Sequence, residues 1–111
     1  AMIAGTKRKA AETRARDLLD LLGRRMALRI LWELRDCSLT FRGLQEAAQT
    51  NPSVLNARLA ELREARLVDA GLQGYALTPH GRELLETLLP LHAWAERWAG
   101  MLEAKPQRAR S

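Results

Sequence analysis

The sequence predicts a mainly α-helical fold with one short β-hairpin. Leu occurs 21 times and Ala 18 times among the 111 residues, whereas Ile and Val together occur 4 times. Leu and Ala favour helices, and the β-branched residues favour strands. Apolar residues also recur at spacings of three and four, the period of an amphipathic helix. The length, together with a hydrophobic fraction of 47%, indicates one small folded domain.

The first two predicted helices cover residues 8–22 and about 24–36, with Gly23 between them. In the first helix one apolar stripe is formed by Ala11, Ala15, Leu18 and Leu22. The second helix is expected to face inward with Ala27, Ile30, Leu31 and Leu34. The inward face of the second helix is the first part of the predicted core.

Two short helices joined by a tight turn follow. Thr40 can cap a helix over about 41–48, and Asn51 with Pro52 is typical of the cap and first position of the next helix. That helix is expected to run to about 65, with Leu55, Leu59 and Leu62 on its inner face. Such a pair, with an amphipathic second helix, predicts a helix-turn-helix.

A hairpin and a long helix complete the predicted fold. Residues 67–70 and 75–78 are two short strand-like runs that flank a loop bounded by Gly71 and Gly74. Thr78 and Pro79 then begin a helix that we expect to reach about 102. Its apolar residues repeat as in a heptad seam: Leu84, Leu88, Leu91, Ala95, Trp98 and Leu102.

In this order the chain resembles the HxlR-type bacterial transcription regulators, which are related to the MarR group. The resemblance spans about residues 22–98 and lies in the segments 30–34, 41–44, 52–62, 67–68, 75–84 and 90–91. It implies a winged helix-turn-helix with N- and C-terminal dimerisation helices, and a homodimer that binds a pseudo-palindromic operator. It also implies that the helix over 52–65 enters the major groove of double-stranded DNA and that the hairpin is the wing.

The residues expected to contact DNA lie on and beside that helix. With its leucines inside, Ser53, Asn56 and Ala57 should face outward. Asn can pair with adenine, so Asn56 is the best candidate for reading a base, and Ser53 suits a phosphate. The full set of candidates is Arg42, Asn51, Ser53, Asn56, Ala57, Arg58 and Arg63. Arg58 is ambiguous, because its spacing from the leucines puts it near the buried edge.

The dimer interface is expected on the terminal helices. Its candidates are Leu18, Leu22, Leu84, Leu88, Leu91, Trp94, Trp98 and Leu102. Trp32, Trp94 and Trp98 could instead line a pocket for an unknown small-molecule effector, but aromatic residues more often fill a core or an interface.

The net charge of +5 supports DNA binding less than its size suggests. Residues 1–29 have eight basic and three acidic residues, whereas residues 30–104 have seven basic and ten acidic residues. Segment 42–66 has four Arg against three acidic residues, a net of +1, and the loop from Gly71 to Gly74 is uncharged. The alternative is therefore a winged-helix protein-interaction module without specific DNA binding.

Other functions find little support in the sequence. His80 and His92 stand far apart, and no metal-ligand spacing, phosphate-binding Gly loop or catalytic motif accompanies them, so we expect no enzyme, metal or cofactor. Cys37 more often has a structural role than an oxidant-sensing one, and a single Cys fits a reducing cytoplasm. We expect a cytoplasmic domain over 8–103 without a membrane span, a disordered or cloning-derived start at 1–7 and a disordered basic tail at 104–111.

Overall fold

A computed structural model describes residues 2–110 of the chain and the side chains of residues 7–104. Five helices and an antiparallel hairpin follow in the order α1 (Met2–Leu22), α2 (Ala27–Glu33), α3 (Phe41–Ala48), α4 (Pro52–Glu64), β1 (Val68–Gly71), β2 (Gly74–Leu77) and α5 (Pro79–Arg110). The mainly α-helical fold with one short hairpin is therefore confirmed. The division into a domain over 8–103, a disordered or cloning-derived start at 1–7 and a disordered tail at 104–111 stays a prediction. Most side chains of these two ends lie outside the described part.

The hydrophobic core joins α1, α2, α3, α4 and β1. The inward residues expected in α2 and α4 are buried at 2% exposure or less: Ala27, Ile30, Leu31, Leu34, Leu55, Leu59 and Leu62. Leu44 of α3 and Val68 of β1 are fully buried in the same cluster. Burial of each leucine contributes about 1.5–3 kcal/mol. These contacts fix the position of α4 relative to α2 and α3.

The second helix is shorter than the predicted 24–36. Arg24 and Arg25 lie in a turn that the Ala27 N–H closes by donating to the Arg24 carbonyl oxygen (3.2 Å), and Met26 has a left-handed backbone with φ 72°. At the other end, the Arg35 N–H donates to the Trp32 carbonyl three residues back (3.1 Å), which ends the α-helical pattern. The apolar spacing continues beyond the helix, so spacing alone misplaces its ends.

The two predicted caps of the helix-turn-helix are confirmed. The Gly43 N–H donates to Thr40 Oγ1 (3.0 Å) at the start of α3, and the Val54 N–H donates to Asn51 Oδ1 (2.8 Å) at the start of α4. Between the helices, Gln49 has a left-handed backbone with φ 55°, which turns the chain. Each cap satisfies an amide that a helix start leaves without a partner.

The end of α4 sets where the hairpin begins. Arg66 has a left-handed backbone (φ 62°), its N–H donates to the Arg63 carbonyl, and the Leu67 N–H donates to the Leu62 carbonyl, each at 2.9 Å. This is a Schellman motif, the usual end of a helix. Because Leu67 takes part in it, β1 begins one residue later than the predicted 67–70.

The second strand is fixed by the segment before α3. Tyr75 exchanges two backbone hydrogen bonds with Leu39, at 2.7 and 3.0 Å. Beside them Gly74 has φ +112°, and a Cβ at this position would overlap the Leu39 carbonyl oxygen. β2 therefore starts at Gly74, one residue earlier than predicted, and the hairpin loop is only Leu72 and Gln73.

Thr78 joins the end of the hairpin to the last helix. Its buried Oγ1 accepts from the Gly81 N–H (3.0 Å) and donates to the Arg66 carbonyl oxygen (2.6 Å). A Cβ at Gly81 would overlap the Leu67 carbonyl oxygen, so the first turn of α5 lies directly against the end of α4. The helix extends to Arg110, beyond the predicted end near 102. No helix within residues 2–110 is long and apolar enough to cross a membrane.

Candidate nucleic-acid interface

The exposed face of α4 is the centre of the candidate interface. Ser53, Asn56 and Ala57 are exposed, as the sequence predicts, and they lie opposite the three buried leucines. A helix held on the core by one face and bare on the other can enter the major groove of DNA, which is wide enough for an α-helix. The small side chain of Ala57 leaves room for a base edge or a thymine methyl group beside Asn56.

The first turn of α4 offers one backbone donor. The Asn51 side-chain oxygen accepts a hydrogen bond from the Val54 N–H. The side-chain nitrogen of Asn51 can therefore donate to another partner. Pro52 has no N–H, and the Ser53 N–H has no partner among the described residues. This N–H and the Ser53 hydroxyl stand together at the positive end of the helix dipole, which suits a phosphate oxygen.

Two of the predicted arginines are exposed on the flanks. The Arg42 side chain is 91% exposed, and its Nε is 3.9 Å from Glu46 Oε1, whose side chain is also exposed. Such a surface pair contributes little, so Arg42 is free to move to a phosphate. Arg63 is exposed in the last turn of α4. Both can supply the backbone contacts that orient a recognition helix.

Arg58 differs from the other candidates. Its side chain is only 18% exposed, and its Nη1 is 2.8 Å from Glu61 Oε1. The Nε and Nη1 atoms are inaccessible to solvent. The sequence leaves the position of Arg58 ambiguous, and the structure places its guanidinium at the buried edge rather than with Asn56.

The hairpin carries no positive charge at its tip. Leu72 is fully exposed there, Gln73 follows it, and Asp69 is exposed in β1. Arg66, which the sequence analysis passes over as a contact residue, is exposed where α4 ends and the hairpin begins. The cation nearest in sequence to the wing therefore stands at its base. Its place in the sequence, directly after the leucine-lined helix and before the first strand-like run, is the signal that points to it.

Apart from Leu88, which is partly buried and lines a groove between α2 and α5, the predicted dimer residues fall into two groups. Leu18, Leu22 and Leu84 are partly buried against the core of the same chain. Further along α5, apolar side chains with exposures between 40% and 54% form what we call the α5 apolar face: Leu91, Trp94, Trp98, Met101 and Leu102. Met101 is not among the predicted dimer residues, although its spacing of three from Trp98 places it on this face. The Trp94 and Trp98 rings are stacked with centroids 6.3 Å apart.

Trp32 lies in a different place from the other two tryptophans. It lines a groove of about 390 Å³ between α2 and α5, together with Leu28, Leu85 and His92. Its ring stacks on His92, with centroids 4.4 Å apart, and the Arg35 guanidinium carbon lies 4.2 Å from its centroid. Cys37 is exposed in the segment after α2. The described side chains contain no group of three or more residues that could hold a metal ion.

Comparison with known proteins identifies the family. Residues 21–103 match the family described as HxlR-like helix-turn-helix. The chain belongs to this family. Two solved structures have similar folds. Quinone-bound YodB from B. subtilis has 27% identity and a TM-score of 0.70, over 77% of this chain and 98% of YodB. Reduced HlyU from Vibrio cholerae N16961 has 26% identity and a TM-score of 0.64, over 77% of this chain and 95% of HlyU.

No curated protein matches the chain in sequence. Membership of the HxlR-like family and the likeness to YodB and HlyU together support a DNA-binding transcription regulator with a winged helix-turn-helix fold. The resemblance to the HxlR-type regulators is therefore confirmed.

Proposed function

We propose that this HxlR-like protein is a sequence-specific transcription regulator that binds a pseudo-palindromic operator as a homodimer. The observation that carries the proposal is the exposed face of α4, where Ser53, Asn56 and Ala57 stand opposite leucines that hold the helix on the core. In this proposal α4 lies in the major groove. Asn56 reads an adenine, and Ser53, Arg42 and Arg63 contact phosphates.

The homodimer is proposed from the α5 apolar face. Two tryptophans, two leucines and a methionine, each 40–54% exposed, are more apolar surface than a helix usually leaves to water. A second copy of this chain can cover the face symmetrically, because a two-fold interface uses the same surface on both subunits. Two copies of α4 would then meet two half-sites one helical turn apart, which matches a pseudo-palindrome.

The groove between α2 and α5 is the proposed place for a small-molecule effector. Its volume of about 390 Å³ and its lining of leucines around Trp32 and His92 are typical of ligand pockets. One of the similar structures, YodB, has a quinone bound. The mainly apolar lining of the groove suits a planar ring of that kind, so we propose an aromatic effector. We propose cytoplasmic action on bacterial DNA without catalysis, since the family consists of regulators.

The alternative function is a protein-interaction module that has lost specific DNA binding. It is favoured by the uncharged tip of the hairpin and by the net charge of only +1 over residues 42–66. The match to the HxlR-like helix-turn-helix family weighs against it. The two functions differ in what they predict for DNA affinity.

A mobility-shift titration distinguishes them. The protein is titrated against duplex DNA from the region flanking its own gene and against a random duplex of equal length, at about 50 and 200 mM salt. The proposal expects tighter binding to the flanking DNA and a marked loss of affinity at the higher salt, because phosphate contacts release counterions. Equal affinity for both duplexes would reject specific recognition by α4, and binding that salt leaves unchanged would reject the phosphate contacts.

A further inference from the structure

Glu61 lies between two arginines on the inner side of α4. Its Oε1 is 2.8 Å from Arg58 Nη1 in the same helix, and its Oε2 contacts Arg24 Nη1. Arg24 belongs to the turn between α1 and α2, next to the left-handed Met26. One carboxylate thus pairs with two guanidiniums that come from different parts of the fold.

The pair of Arg58 and Glu61 is screened from water. Their side chains are 18% and 27% exposed, and Arg58 Nε, Arg58 Nη1 and Glu61 Oε1 are inaccessible to solvent. These atoms form no hydrogen bond of good geometry among the described residues, so charge attraction holds them. Attraction at this distance is stronger near the protein interior than in water, and a buried guanidinium without its carboxylate is costly.

The contrast with Arg42 shows what Glu61 does. Arg42 also has an acidic partner one turn away, but both side chains are more than 75% exposed and their closest atoms are 3.9 Å apart. A phosphate can replace that partner at almost no cost. For Arg58 to reach a phosphate, its guanidinium would have to leave Glu61 and abandon a carboxylate that Arg24 alone would then neutralise.

We propose that Glu61 is a positioning residue that holds the Arg58 guanidinium away from DNA. This inference rests on the proposed function, because it concerns the selectivity of the same helix. A phosphate contact from Arg58 would add affinity for every sequence equally. Because Glu61 prevents that contact, a larger share of the binding free energy comes from base recognition by Asn56. The preference for the operator over other DNA is therefore higher.

The salt dependence of binding to a random duplex tests this role. Glu61→Gln should free Arg58 and steepen the slope of log K against log salt by about 0.9 per protomer, the effect of one phosphate contact. Glu64→Gln is the matched control, since Glu64 is exposed on the same helix and its substitution changes the charge equally. It should leave the slope unchanged. Arg58→Ala alone should also leave the slope unchanged, and the double variant of Arg58→Ala with Glu61→Gln should restore the wild-type slope.

Two results would overturn the proposal. A shallower slope in Arg58→Ala would mean that Arg58 already contacts a phosphate in the wild-type protein. Equal slopes in Glu61→Gln and Glu64→Gln would mean that Glu61 does not keep Arg58 from contacting a phosphate.

A second measurement needs no variant and no operator. Nitrogen-15 NMR of the arginine side chains in the free wild-type protein should give a slowly exchanging Nε–H signal for Arg58 and rapid exchange for Arg63. Adding random duplex should shift the Arg63 signal and leave that of Arg58 in place. Rapid exchange of the Arg58 Nε–H in the free protein would mean that Glu61 does not hold the Arg58 guanidinium in a buried position, whether or not DNA binds. If the protein binds no DNA while the Arg58 Nε–H still exchanges slowly, the proposed function and the role of Glu61 in selectivity are refuted. The contact between Arg58 and Glu61 is then still supported.

Discussion

Replacement of Thr78 by Val is expected to destabilise the protein strongly, although the two side chains have nearly the same shape. Thr78 is buried, and its hydroxyl is the link between the end of α4 and the start of α5. Val fills the same space but leaves the Gly81 N–H and the Arg66 carbonyl oxygen without their partner. Both groups remain in a partly buried place where water cannot fully replace the hydroxyl.

The magnitude follows from these two lost contacts. Loss of a helix cap costs about 1 kcal/mol, and a buried polar group without a partner costs about 1–3 kcal/mol. Together they predict a loss of about 2–4 kcal/mol in the free energy of unfolding. For a domain of this size, 1 kcal/mol corresponds to a change of about 4 °C in Tm, so Tm should fall by roughly 8–16 °C.

Urea unfolding followed by circular dichroism measures the effect at one fixed protein concentration, since dimerisation would also change the stability. Thr87→Val is the matched control, because the Thr87 hydroxyl, unlike that of Thr78, caps no helix. Its hydrogen bond among the described residues is donated to the Glu83 carbonyl oxygen on an exposed part of α5 (3.0 Å). It should cost less than about 0.5 kcal/mol. Thr78→Ser keeps the hydroxyl and should recover most of the loss. If Thr78→Val were no less stable than the control, the hydroxyl would not join the two helices.

Three further substitutions test the fold and the interface. Arg66→Gly should stabilise the protein by about 1 kcal/mol, because Gly adopts the left-handed backbone of this position without strain. Arg63→Gly, inside the helix, should destabilise it by a similar amount. If urea unfolding gave both changes the same sign, the assignment of the helix end would be wrong. Gly81→Ala should lower the free energy of unfolding by about 1–3 kcal/mol in the same assay, since its methyl group would overlap the Leu67 carbonyl oxygen. An unchanged stability would refute the close approach of these two residues. Leu91→Glu should shift the sedimentation profile towards monomer, whereas Leu72→Glu, at a fully exposed leucine on the wing, should not. An unchanged profile for Leu91→Glu would reject the α5 apolar face as the interface.

The helix-turn-helix could be predicted closely because its signals are local. Thr40 and Asn51 cap by contacts three residues away, and Pro52 is suited to the first helical position whatever surrounds it. The leucines at spacings of four and three define the inner face of α4 without any tertiary information. Caps and periodicity therefore sufficed to locate α3, α4 and their turn.

The parts that the sequence misplaced depend on tertiary contacts. The ends of α2 depend on a left-handed Met26 and on the way Arg35 closes the last turn, neither of which has a residue signature. The shift of the strands depends on Leu67 completing the end of α4 and on Leu39 pairing with Tyr75, 36 positions later.

The position of Arg58 shows the same limit within the site. Its spacing from the leucines left two orientations open, and the choice is made by Glu61 together with Arg24, which is distant in sequence. Which arginines stay exposed beside Asn56 is thus a property of the packed fold.

The most direct test of the account is the effect of Asn56→Ala on two DNA sequences. Asn56 lies on the exposed face of α4, where we propose that it reads a base. Binding of the variant to operator DNA and to a random duplex is measured by fluorescence anisotropy at one salt concentration. Operator affinity should fall by roughly 1–3 kcal/mol while affinity for the random duplex stays nearly unchanged. An equal loss on both duplexes, or no loss on either, would contradict base recognition by α4.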